Sequence, residues 1–100
     1  MKIINVTNNH RDLVKEQLHG TDAEFVEVYS AGNTDVIFTR APKHYELLIS
    51  NKHRAVRPDE LEEIKKFFIN KRVDTDKVFE DKISIIEQPN LIEISVPIDN

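Results

Sequence analysis

The chain has no cysteine and no tryptophan, and only two glycines. Without cysteine there is no disulfide, thiolate metal site or thiol nucleophile, a composition suited to a reducing compartment. Gly20 and Gly32 are too few for a phosphate-cradling loop, which excludes P-loop and dinucleotide-binding fingerprints. Long apolar runs are missing too. The longest pieces, Leu47-Leu48-Ile49 and Phe67-Phe68-Ile69, fall far below the ~18 residues of a membrane span. The opening Met1–His10 turns polar too soon for a secretion signal, so the expectation is a cytoplasmic protein without membrane contact.

What is present is a globular composition, 39% hydrophobic and 32% charged over 100 residues. One domain spanning residues 1–100 follows, able to bury roughly 60–70% of its unfolded surface. The net charge of −4 is uneven: residues 1–57 hold 8 Lys/Arg and 7 Asp/Glu, residues 58–100 hold 6 and 11. An acidic chain is a poor starting point for phosphate binding, leaving only local basic patches for that role.

Gly32-Asn33 between two β-rich runs, Glu24–Ser30 and Asp35–Arg40, is a two-residue hairpin signal, with Gly32 able to open a type II′ turn. Lys2–Val6 reads as a first strand. Asn8 or Asn9 is placed to cap a helix carrying Leu13, Val14 and Leu18, which Gly20 ends. His44–Asn51 is a further strand, followed by the basic loop 52–57. Pro58 opens the second helix, with Asp59 and Glu60 at its positive end, Lys71 and Arg72 at its negative end, and Leu61, Ile64, Phe67 and Phe68 as its stripe. Residues 73–82 are ambiguous between loop and short helix. A last hairpin turns at Pro89-Asn90, with Ile83, Ile85, Ile92, Ile94 and Val96 on one face and Ser84, Ile86, Glu93 and Ser95 on the other. The order strand–helix–three strands–helix–two strands predicts an α+β domain, an antiparallel or mixed sheet with helices mostly on one face.

The hairpin register puts Phe25, Glu27, Tyr29, Val36, Phe38, Arg40, Tyr45, Leu47 and Ile49 on one face. Glu27 and Arg40 lie diagonally on it, either as a rim ion pair or as a paired charge contacting a ligand. The other face carries Val26, Val28, Ile37 and Leu48. With the helices assigned to the first face, this strip is either tolerated by a monomer or covered by a protein partner, including a second copy in a homodimer.

Chemistry-bearing patterns are sparse. His10, His19, His44 and His53 have no metal-ligand spacing. Asp74-Thr75-Asp76 with Glu80 and Asp81 lacks the mid-loop glycine of a calcium loop and has Lys77 where a ligand should fall. No metal or cofactor is expected. The aromatics Phe25, Tyr29 and Phe38 with Arg40 have the look of base-stacking sheets, but are needed as core beneath the helices. Lys52, His53, Arg54 and Arg57, with Lys43 from a neighbouring turn, form the candidate phosphate contact; a solubilising loop is the simpler account.

The opening Met1-Lys2-Ile3-Ile4-Asn5-Val6-Thr7-Asn8 and the segment Val28-Tyr29-Ser30-Ala31-Gly32-Asn33-Thr34 resemble a family of uncharacterised proteins of about this length from lactic-acid and related Gram-positive bacteria. The resemblance covers nearly the whole chain. It implies a small bacterial cytoplasmic protein, with no catalytic or binding residue to carry over. The residues themselves favour a binding or regulatory protein without catalysis. The alternatives are nucleic-acid contact through the 52–57 loop, and a small enzyme with Glu27 as base and Arg40 or a histidine beside it.

Overall fold

The computed structural model describes residues 1–70 and 77–99. Its strands are β1 (Ile4–Asn5), β2 (Phe25–Ala31), β3 (Thr34–Arg40), β4 (His44–Asn51), β5 (Ser84–Gln88) and β6 (Leu91–Pro97). Helix α1 (Arg11–Leu18) follows β1, and α2 (Pro58–Phe68) lies between β4 and β5. The strands form one antiparallel sheet in the order β1-β2-β3-β4-β6-β5, the α+β architecture expected.

Gly32 sets the centre of this sheet. It takes φ 63 while Asn33 stays at negative φ, as a type II′ turn requires. Tyr29 then opposes Val36, Glu27 opposes Phe38, and Phe25 opposes Arg40, the register read from the sequence. Pro42 and Lys43 close the next turn, across which the Ala41 N–H donates to the His44 carbonyl at 2.9 Å. Phe38 therefore meets Leu47, and Val36 meets Ile49. The last hairpin also turns at Pro89-Asn90, and β6 joins β4 so that Leu47 opposes Ile94.

Helix α2 covers the main core. Pro58 occupies its first turn, and Ile64 and Phe68 point inward with Leu61 and Phe67 partly buried beside them. The Phe68 ring lies 4.9 Å from Tyr29 and 5.5 Å from Phe38, which in turn lies 5.4 Å from Tyr45. Val36, Leu47, Ile49, Ile94 and Val96 complete this layer. Each such side chain contributes roughly 1.5–3 kcal/mol by leaving water. The aromatics that resemble a base-stacking platform are thus core; Phe25 alone keeps substantial exposure.

The start of the chain departs from expectation. β1 is only two residues, because the chain leaves the sheet at Thr7 for a 3-10 turn, Thr7–Asn9. Asn5 Oδ1 accepts both the Thr7 N–H at 3.0 Å and its hydroxyl at 2.6 Å, which stabilises the departure. Asn8 and Asn9 belong to this turn, and His10 precedes α1 without a side-chain cap. At the far end Thr21 Oγ1 donates to the Gln17 carbonyl at 3.0 Å, and Gly20 takes φ 73.

The helices divide between the faces. Tyr29 points to α2, so alternation sends Val26 and Val28 to the opposite side. These two valines are nevertheless only 4% and 2% exposed, and α1 is the helix packed on β2. A helix of this same chain, rather than a second copy, covers that half of the strip. Ile37 and Leu48, one and two strands further on, lie outside the strand α1 packs on and are half-buried.

Residues 77–82 bridge to the sheet through Val78 opposite Ile98 and form a 3-10 turn at Glu80–Lys82. The expectations on Lys71, Arg72 and the Asp74-Thr75-Asp76 run, and the loop-or-helix question over 73–76, fall outside the described residues.

Candidate functional site

The most organised polar cluster joins the basic loop to the start of α2. Glu60 lies four residues before Ile64 and eight before Phe68, so the α2 stripe carries it inward, where it is 5% exposed. Its Oε1 accepts the Arg57 N–H at 3.0 Å, closing the helix start. The Arg54 guanidinium grips both carboxylate oxygens, Nη1 on Oε1 and Nη2 on Oε2, the latter at 2.9 Å. Thr34 Oγ1 donates to Oε2 at 3.0 Å and accepts from Asn51 Nδ2 at 3.1 Å. Asn51 Oδ1 in turn accepts the His53 and Arg54 N–H groups, while Asn90 Nδ2 donates to the Asn51 and Arg54 carbonyls at 3.0 and 2.9 Å. The Arg54 hydrogen bond, reinforced by those from Arg57 and Thr34, brings the Glu60 carboxyl down to about 2 against the opposing effect of burial. The same partner raises the Arg54 pKa.

This network pins the loop, the β4 end, the last hairpin and α2 to one another. Its hydrogen bonds run between its own members, which marks it as a structural clamp. Read as sequence, Glu60 is a helix-end charge; its capping spacing after Arg57 and its place ahead of Ile64 are the signals that put it inside.

The expected phosphate contact is not assembled as one patch. Arg54 is committed to Glu60, whereas Lys52, His53 and Arg57 are exposed. Lys43 sits at the opposite end of β4, across eight extended residues or about 25 Å. Glu27 and Arg40 share the α2 face, yet among the described residues no ion pair joins them. Asn5 Nδ2 donates to Glu27 at 3.3 Å. Arg40 Nη1 donates to Tyr45 Oη at 2.9 Å, with the guanidinium carbon 4.9 Å from the Tyr45 ring centroid and Nε buried without a hydrogen-bond partner. Register separates the two by one step along β3, and each side chain is held by another neighbour.

The face opposite α2 has a different character. Beyond α1 its central row runs Ile37, Leu48, Glu93, Ile86 across four strands, and Ile86 is 57% exposed. Asp35 and Glu46 flank that row, and no Lys or Arg of β3, β4, β5 or β6 points to this side. His44 Nε2 lies 3.8 Å from Glu46. Of the four residues assigned to a partner surface, Ile37 and Leu48 lie here, and Val26 and Val28 lie under α1.

An open depression of about 360 Å³ lies where the 3-10 turn meets α1, lined by Asn8, Asn9, His10, Arg11, Asp12 and Leu13. Among the described residues no group of His, Asp or Glu is spaced to hold a metal ion, and no helix is long and apolar enough to cross a membrane.

Comparison with known proteins places these features in a family. A crystal structure of a conserved protein of unknown function from Streptococcus thermophilus LMG 18311 is 58% identical, with a TM-score of 0.93 over 100% of this chain and 99% of that one. Its source agrees with the lactic-acid group that the opening residues resemble. No curated protein matches the chain. The family model described as a domain of unknown function, DUF1827, matches residues 1–97, and the chain belongs to that family.

Proposed function

We propose that this chain is a binding module, docking a protein with a basic, partly apolar surface on the sheet face that α1 leaves open. The row Ile37, Leu48, Glu93, Ile86 carries the reading: Ile86 is exposed and Ile37 and Leu48 are half-buried, among acids with no Lys or Arg of these strands beside them. Apolar surface interrupted by acids suits a partner that is itself partly apolar, and the acids select its charge. A second copy is the competing occupant. It would bring Asp35, Glu46 and Glu93 against their own kind, which favours a different chain. The absence of cysteine supports a reducing cytoplasm as the place of action. The phosphate-contact reading draws less support, because Arg54 is neutralised by Glu60 and Lys43 lies an entire strand away.

Photo-crosslinking in the native host tests this reading. A benzophenone side chain at Leu48 or Ile86 should capture one discrete adduct, and the same group at Lys52 should capture none. An adduct only from Lys52, or none from the face, overturns the reading. A homodimeric adduct from the face replaces the basic partner with a second copy.

A further inference from the structure

We infer that the free edge of β5 is a strand-addition site for an extended basic segment of another protein. The inference rests on the preceding reading in one respect, that a partner meets the β5 side of the sheet. Among the described residues β5 is the last strand in the sheet and pairs with β6 alone. All five of its residues are exposed, with Ile85 at 39% and Ile86 at 57% pointing to opposite faces. Its pairing runs one to one from Ser84 opposite Ser95 to Gln88 opposite Leu91, so no bulge twists the edge away. No lysine, arginine or proline interrupts it. Proteins ordinarily blunt an edge with one of these devices. The opposite edge is blunted: β1 has two residues and ends in a 3-10 turn.

The hairpin geometry names the groups on offer. In a two-residue loop the flanking pair, Gln88 and Leu91, exchanges both backbone hydrogen bonds, and such pairs alternate along an antiparallel ladder. Ile86 and Ser84 therefore turn their amides to β6, and Ile85 and Glu87 turn N–H and C=O outward. An incoming strand finds two donors and two acceptors, with Ile86 beside it on one face and Ile85 on the other.

Charge selects the occupant. Glu87 is on the strand, Glu93 opposes Ile86, and Glu80 and Asp81 precede the strand in the 3-10 turn. Residues 77–99 contain five acids and two lysines, and Lys82 is drawn over the Phe79 ring at 5.0 Å. Symmetric pairing of β5 with a second β5 would bring these acids together. It would also bury far less than the ~800 Å² per partner of a stable interface. A flexible segment alternating lysine or arginine with aliphatic residues meets the charge constraint, and so small a contact binds weakly and with strong salt dependence.

The test is a titration of ¹⁵N-labelled protein with a capped seven-residue peptide alternating lysine and valine, beside one alternating glutamate and valine. The lysine peptide should shift the Ile85 and Glu87 amides and protect them from exchange, leaving the Ile86 amide on β6; the glutamate peptide should bind at least tenfold more weakly. Glu87→Pro removes an outward N–H that β6 does not use, so the fold should persist and binding fall at least tenfold. Glu87→Gln keeps the N–H and should weaken binding about threefold, a loss of charge alone. No response of Ile85 and Glu87 at millimolar peptide overturns the inference, whereas the crosslinking at Leu48 tests the docking face independently. Shifts confined to Ile37 and Leu48 overturn the edge and leave the docking face standing. Protection of Ile85 and Glu87 without peptide, with a doubled mass, overturns the basic occupant in favour of a second copy.

Discussion

Glu60→Gln isolates the charge at the centre of the clamp. In the folded chain the carboxyl is held at about 2 against an ordinary 4.5, so the folded state prefers it ionised. A depression of that size corresponds to at most about 3 kcal/mol at neutral pH. Arg54 is 33% exposed and partly screened by water, so about 1–2 kcal/mol is the expected loss in Glu60→Gln. Because the folded pKa is the lower one, this stability is fully present above pH 4.5 and is lost as pH falls towards 2. Urea unfolding followed by circular dichroism, on wild type and variant at several pH values, reads the difference. It should stay constant from pH 7 to pH 5.5, fall by more than half by about pH 3, and nearly vanish at about pH 2. A difference that stays flat down to pH 3 would refute an ionised, Arg54-bound Glu60. Glu60→Ala should cost more, about 3–4 kcal/mol, because it also strands the Thr34 hydroxyl and the Arg57 N–H.

Three further outcomes follow from the same geometry. Thr34→Val should cost about 1–2 kcal/mol in urea unfolding, since it removes a donor to Glu60 and orphans the buried Asn51 amide; a neutral result would mean that water replaces the hydroxyl. Gly32→Ala should cost about 1 kcal/mol from backbone strain alone, because φ is 63 and nothing lies within 4 Å of the added Cβ. Val28→Glu should lower the melting temperature sharply, with a loss above about 3 kcal/mol, because α1 buries the valine within one chain. If the variant instead melts like the wild type and only its mass changes, Val28 belongs to an interface between chains.

Much of the sheet is legible from local rules. A glycine that can take positive φ, set between alternating runs, ties Tyr29 to Val36, and every later pair on β2, β3 and β4 follows by counting. The helix over the core is legible for a similar reason: Ile64, Phe67 and Phe68 have one period and Pro58 marks its start. What resists reading is the side of the sheet a short helix takes. Leu13, Val14 and Leu18 show that α1 has an apolar stripe, but not which face receives it, because the chain leaves the sheet where Asn5 at the end of β1 accepts from Thr7 in the 3-10 turn. That one ambiguity separates Val26 and Val28 from Ile37 and Leu48, which counting alone treats as one strip.

The candidate sites divide along the same line. Local patterns mark Glu27, Arg40 and the basic loop as charged, but whether a charge is available depends on neighbours from other elements. Arg54 meets Glu60 only because α2 returns over the β4 end, and Lys43 is remote because the eight residues of β4 lie between them. Basic charge that looks free in the chain is therefore partly matched in the fold. Acidic charge on the open face is matched less: Asp35, Glu46 and Glu93 come from three strands that bring no Lys or Arg to this side, and His44 Nε2 stands 3.8 Å from Glu46. Acids gathered beside exposed isoleucine add repulsion rather than cohesion to this face. The proposed docking role rests on this arrangement, on the face without Lys or Arg rather than on the loop that has them.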